Sequence, residues 1–183
     1  SLARDYLPDD EYPARMYDYI RSLSESNIPW GAARDSIYKA YQIEQRHGYD
    51  ITSKNLYCNG CFAAGINFAA SLVSLFYGEG DLLETIKIGS LVGWDSDNPT
   101  ATWGGLIGFM MGANAIEEAF GTKLSNEFHI HRTRQNFPNN GIDTFENMAK
   151  NGLKIVDSVI LNEMNGSIDH TRNNWIIPYN NGN

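Results

Sequence analysis

Two carboxylates stand two residues apart in the run Val92-Gly93-Trp94-Asp95-Ser96-Asp97-Asn98-Pro99-Thr100, with Ser, Asn and Thr oxygens crowded around them. Hard oxygen donors at this density suit Mg²⁺, Mn²⁺ or Ca²⁺ rather than zinc. A calcium hand closes its twelve-residue loop on a glutamate. Here no Glu follows until Glu117, so that version is excluded. Asn98 is placed to cap a helix, and Pro99 fits a first helical position, where its missing N–H costs nothing. The stretch therefore reads as a metal-binding loop of acids feeding a helix N-terminus. An Asp-x-Asp can also hold a nucleotide-sugar through Mn²⁺ in glycosyltransferases. That setting is a strand end in an α/β sheet, whereas the flanks here are helical in pattern.

The elements that must position this loop are helices. Asp9 or Asp10 is expected to cap a first helix over residues 14–23, with negative charge at its positive end. A second spans 32–45, with Ile37, Ala40 and Tyr41 on one face and Gly48 closing it. Residues 60–77 are apolar on nearly every side, which makes a buried helix. Asn67, Ser71 and Ser74 interrupt that run and no cationic flanks anchor it, so it is a core helix and not a membrane span. Asp81-Leu82-Leu83-Glu84 has capping-box spacing and opens a helix to about Val92.

After the acidic loop, 99–119 reads as one more helix. Gly104, Gly108 and Gly112 recur every four residues on one stripe. Glycine inside a helix costs roughly 1 kcal/mol relative to Ala, so the stripe predicts the close approach of another backbone or a ligand. Asp143-Thr144-Phe145-Glu146 is another Asp-led capping box, beginning a helix through Ile160 that ends near Asn165-Gly166. The stretch from Asp169 is a polar, aromatic tail. Strand signals are scarce, and the fold class is all-α.

Composition narrows the partners. A net charge of −8 lacks the basic patch that nucleic-acid binding needs. It leaves room for a phosphate-bearing small molecule, because a bound metal reverses the local field. The two cysteines, Cys58 and Cys61, are too few for a zinc site. They read as local structural cysteines, with a local disulfide or redox use as alternatives. The wealth of Asn and Tyr and scarcity of Lys lean toward secretion, with the cytoplasm as the alternative; Asn165-Gly166-Ser167 is a glycosylation sequon that matters only in the first case. His129-Ile130-His131-Arg132-Thr133-Arg134 reads as a short strand or exposed extended chain, with a phosphate contact by Arg132 or Arg134 as the alternative. His47 reads as a surface residue near a helix C-terminus.

Leu91-Val92-Gly93-Trp94-Asp95-Ser96-Asp97-Asn98, then Ala101-Thr102 and Gly104-Gly105-Leu106-Ile107-Gly108, resembles the C-terminal motif of the ADP-ribosylglycohydrolase family. That motif is Gly-Gly-Asp-Thr-Asp-Thr followed by a small-residue helix. The resemblance covers about residues 58–119, since the buried helix and the Asp-capped helix before the motif match the family's layout. It implies an orthogonal all-helical bundle holding two Mg²⁺ or Mn²⁺ ions and cleaving the bond between ADP-ribose and its acceptor.

Carried over by position, Asp95, Asp97 and Asn98 become metal ligands, with Asp95 and Asp97 serving catalysis. Gly93, Trp94, Ser96 and Thr100 are then expected to meet substrate. Two positions depart from the motif: its hydroxyl after the second Asp is Asn98, and its second Gly is Trp94. The family's other half-site is an N-terminal Thr-Asp-Asp in a Gly-rich segment, and Pro8-Asp9-Asp10 does not supply it. The expectation is a single all-helical domain over 1–183, or the C-terminal half of one whose missing acids come from a partner polypeptide. A binding or structural protein on the same scaffold is the alternative to an enzyme.

Overall fold

A computed structural model describes residues 3–51, 60–130 and 135–178 of the chain. Cys58, His131, Arg132 and Arg134 lie outside the described residues. The chain divides into two compact units, Ser1–Thr122 and Lys123–Asn183.

The first unit holds α1 (Tyr12–Glu25), α2 (Trp30–Ile37), α3 (Ala64–Gly78), α4 (Leu82–Leu91), α5 (Asp97–Met111) and α6 (Ala113–Phe120). α3 is its axis, packing against α1, α2, α4 and α5. Neighbours on so many sides explain why its sequence is apolar all round. Ile66, Ala69, Ala70 and Val73 are fully buried there, and they share one core with Met16, Ile20, Ile37, Tyr41 and Ile88. Complete burial of a branched aliphatic side chain stabilises by roughly 1.5–3 kcal/mol, and α3 contributes two such residues, Ile66 and Val73. Among the described residues no helix is long and apolar enough to cross a membrane.

Several local expectations shift by small, explicable amounts. α1 is capped by neither Asp9 nor Asp10: Glu11 holds the N-cap position without a side-chain bond, and Asp9 is drawn off by Arg4 at 2.7 Å. The same guanidinium binds Asp18 at 2.9 Å and holds that carboxyl below its ordinary value. α2 stops at Ile37 and widens into a π-helical turn over Tyr38–Ile43. That turn buries Tyr41 and leaves Tyr38 part exposed. Gly48 lies in a separate short 3-10 turn, where His47 comes against the Tyr41 ring at 6.2 Å. The Asp81 cap is as expected, its carboxylate accepting the Glu84 N–H at 2.7 Å.

The glycine stripe does not mark a close backbone. A Cβ at Gly104 would meet only the tip of Ile86 at 3.6 Å, and one at Gly108 the tip of Ile116 at 3.1 Å. Gly112, at φ +81°, breaks the expected single helix into α5 and α6. The tight contacts lie elsewhere. A Cβ at Gly78 would fall 2.7 Å from the Thr85 Cα, and one at Gly89 would meet both Ser74 and Thr100 at 3.1 Å. These positions let α3, α4 and α5 close on one another.

The second unit is built on α7 (Phe145–Asn162) with two antiparallel hairpins, β1 (Glu127–His129) with β2 (Ile142–Thr144) and β3 (Ser167–Asp169) with β4 (Asn174–Ile176). Thr144 caps α7, accepting the Asn147 N–H at 3.1 Å, one residue after the expected Asp143. Asp143 instead accepts from the Asn147 side chain at 2.9 Å. The stretch read as a tail folds back as β4, its Trp175 indole donating to Asp157 at 2.8 Å. Three-residue strands leave too short an alternation to be read from sequence. Helices still dominate the described chain.

Candidate functional site

α4 ends at Leu91 and α5 starts at Asp97, so the acidic loop links two helices and is no strand end. α5 begins before the expected cap: Ser96 is its flanking residue, Asn98 is already helical, and the Asn98 N–H bonds to the Asp95 carbonyl at 3.0 Å. Pro99 still sits in the first turn, where the N–H groups have no partner to lose.

Between the helices the chain turns through two left-handed residues, Gly93 at φ +104° and Trp94 at φ +57°. For a residue with a side chain that conformation costs roughly 1–2 kcal/mol. The Trp94 ring offsets it by stacking on Tyr38, centroids 6.2 Å apart at 27°, and by packing against the core. Replacing Trp94 by Gly would relieve the backbone but remove a half-buried ring. The expected net loss is about 1–2 kcal/mol, read from the urea midpoint; an unchanged midpoint would show that the ring anchors nothing.

Immediately after this turn the Asp95 and Asp97 carboxyl groups meet. They share a hydrogen bond which, with some desolvation and their mutual repulsion, raises the Asp95 carboxyl above its ordinary value. Asp95 and Asn98 line a cleft of about 460 Å³, walled by Phe62, Phe68, Leu72 and Trp103. A few polar groups converging on an apolar concavity is the usual form of a small-molecule site. A larger depression of about 760 Å³ lies beside Arg4 and Asp18. Arg4 is its cationic group, and Asp9 and Asp18 already neutralise it.

The loop places Asp95 and Asn98 on the cleft and Asp97 outside its lining. Thr100 donates to the Ser96 carbonyl at 2.7 Å and approaches Ser90, while Trp94 faces Tyr38. Both are engaged in packing, and Gly93, Trp94, Ser96, Asp97 and Thr100 are not among the residues lining the cleft. The donor set fits a hard divalent cation in kind, with two carboxylates and one amide oxygen. It is short in number, since among the described residues no three His, Cys, Asp or Glu side chains form a metal-holding group.

Asn67, Ser71 and Trp103 belong to the same neighbourhood, and the sequence marks Asn67 and Ser71 only as interruptions of an apolar helix. The available signal was their polarity: Asn67 and Ser71 lie one turn apart on an otherwise apolar helix, and a buried polar side chain needs partners. Asn67 accepts the Asp95 N–H at 3.1 Å, and the Trp103 indole donates to the Ser71 carbonyl at 2.7 Å.

The ADP-ribosylglycohydrolase family model matches residues 3–155. The chain belongs to the ADP-ribosylglycohydrolase family. Comparisons with curated proteins and with solved structures returned no match. The family's helical fold agrees with the helix-dominated structure, and membership extends well beyond residues 58–119 to take in α1, α2 and part of α7. Within an ADP-ribosylglycohydrolase-like hydrolase, the acidic loop and its cleft are the natural candidate for the reacting centre.

Proposed function

We propose that this chain acts as a metal-dependent glycosidase that hydrolyses the bond between ADP-ribose and an acceptor group. The observation that carries the reading is the cleft that Asp95 and Asn98 of the acidic loop line, in a chain of this family. Asp95, Asp97 and the Asn98 amide oxygen would hold Mg²⁺ or Mn²⁺, two ions in the family's arrangement. Divalent ions at such a site supply Lewis-acid activation of a water and fix the ribose hydroxyls.

The chain's own groups do the rest. The carboxylates favour the positive charge that develops at the anomeric carbon in an oxocarbenium-like transition state. The N-terminus of α5 places the positive end of its dipole under the loop, which suits a phosphate. Phe62, Phe68 and Trp103 give the cleft apolar walls. The remaining ligands, and the acid that handles the proton, are assigned to a partner segment carrying the family's Thr-Asp-Asp motif. The disulfide at Cys61 supports a secreted location, where such bonds persist.

The test is release of free ADP-ribose from an ADP-ribosylated peptide by this chain supplied with that partner segment, followed by mass spectrometry with Mg²⁺ or Mn²⁺ and again with EDTA. Metal-dependent release is expected. Neither release nor Mn²⁺ binding would favour the structural alternative, to which the packed Trp94 lends some weight. The nucleotide-sugar transferase reading has no support, because its Asp-x-Asp needs a strand end and this one joins two helices.

A further inference from the structure

We propose that Asn67 is the positioning residue that sets the Asp95 carboxylate in the site. The inference rests on the metal-centre reading of the loop. Asn67 sits on α3, the most deeply packed helix, and is only 6% exposed. A buried amide is costly unless its hydrogen bonds are made, and this one makes three. Its Nδ2 donates to the Cys61 carbonyl at 2.7 Å and to the Ala63 carbonyl at 3.1 Å. Its Oδ1 accepts the Asp95 N–H at 3.1 Å, across 28 residues of sequence.

The polarity of this arrangement is forced. Both Nδ2 protons are directed at carbonyl oxygens, which only accept, so a flipped amide would set oxygen against oxygen. Oδ1 is therefore fixed toward the loop. The loop needs such a tether, because two successive left-handed residues precede Asp95 and leave its direction to be set by whatever holds its N–H.

A second tether separates this role from general packing. One turn along α3, the Ser71 carbonyl accepts the Trp103 indole N–H at 2.7 Å and so holds α5. Loss of the Asn67 amide should loosen the loop while α5 stays docked.

The experiment compares wild type with Asn67→Leu, which keeps the side-chain bulk and removes all three bonds. Mn²⁺ binding is measured by titration calorimetry and amide exchange by mass spectrometry. The variant is expected to bind Mn²⁺ about 10–100-fold more weakly, the range for lost partners of metal ligands. Exchange should rise over residues 93–98 and stay unchanged over 99–111. A folded variant with wild-type Mn²⁺ affinity overturns the assignment and leaves the metal centre standing. A wild type that takes up no Mn²⁺ removes the centre, and the assignment with it. Should the variant not fold, the wild-type Asp95 amide decides: protection well above that of Gly93 and Trp94 supports the tether, and equal exchange overturns it.

Discussion

In the protein reassembled with its partner segment, Asp97→Asn is expected to lower Mn²⁺ affinity by about 100-fold or more and to bring ADP-ribose release to background. The amide keeps the shape of the side chain and removes its charge, which is what a hard cation binds. Titration calorimetry and the release assay check this directly. Unfolding is not the expected cause of the loss. With Asp97 ionised, the Asp95 carboxyl is held above its ordinary value. A carboxyl raised in the folded state makes the native protein bind more protons than the unfolded one. Stability then falls as pH rises from the unfolded value through the folded one. Removing the Asp97 charge relieves that cost at neutral pH, so the metal-free variant should melt close to wild type. Unchanged Mn²⁺ affinity in a folded variant would take the loop out of the metal site.

Gly78→Ala is expected to destabilise the protein by about 2–3 kcal/mol, the upper part of the range for overpacking. The new methyl carbon would fall 2.0 Å from the Thr85 Oγ1 and 2.7 Å from the Thr85 Cα. Thr85 is fully buried and its carbonyl already accepts the Ser74 hydroxyl at 2.7 Å. A flexible side-chain tip can yield, but the backbone of α4 must shift as a whole. Gly104→Ala supplies the contrast. There the methyl meets Ile86 at an ordinary 3.6 Å, and the gain in helix propensity is up to about 1 kcal/mol. Urea midpoints of the two variants measure the difference. Equal midpoints would mean that α3 and α4 do not meet as tightly as described.

These two glycines also mark what sequence reading reaches and what it misses. Spacing singled out Gly104, Gly108 and Gly112 because they repeat, yet a repeat says only that a stripe exists. Gly78 stands at a helix end, where a sequence reader credits turn chemistry, and nothing local shows that Thr85 lies against it. The acidic loop was legible because its chemistry is written in adjacent residues, and the buried α3 because burial on all sides removes polar faces. The Asp81 cap was legible for the same local reason. Asn67 was not, because its partner Asp95 is 28 residues away and only the fold brings them together. The caps of α1 and α7 slipped because Asp9 and Asp143 had competing partners: an arginine for the first, a side-chain amide for the second.

Family resemblance and folding have different borders in this chain. The match stops at residue 155, while α7 continues without a break to Asn162. The seven residues past that point include Ile160, the one large side chain fully enclosed among the described residues of its unit. Gly166 is wedged against it: an added Cβ there would lie 2.6 Å from Ile160 and 2.7 Å from the Ile176 carbonyl. The segment that sequence kinship leaves out thus contains the keystone of the second unit. A shortened protein trimmed at the edge of the homology would keep most of the helix and lose what locks it.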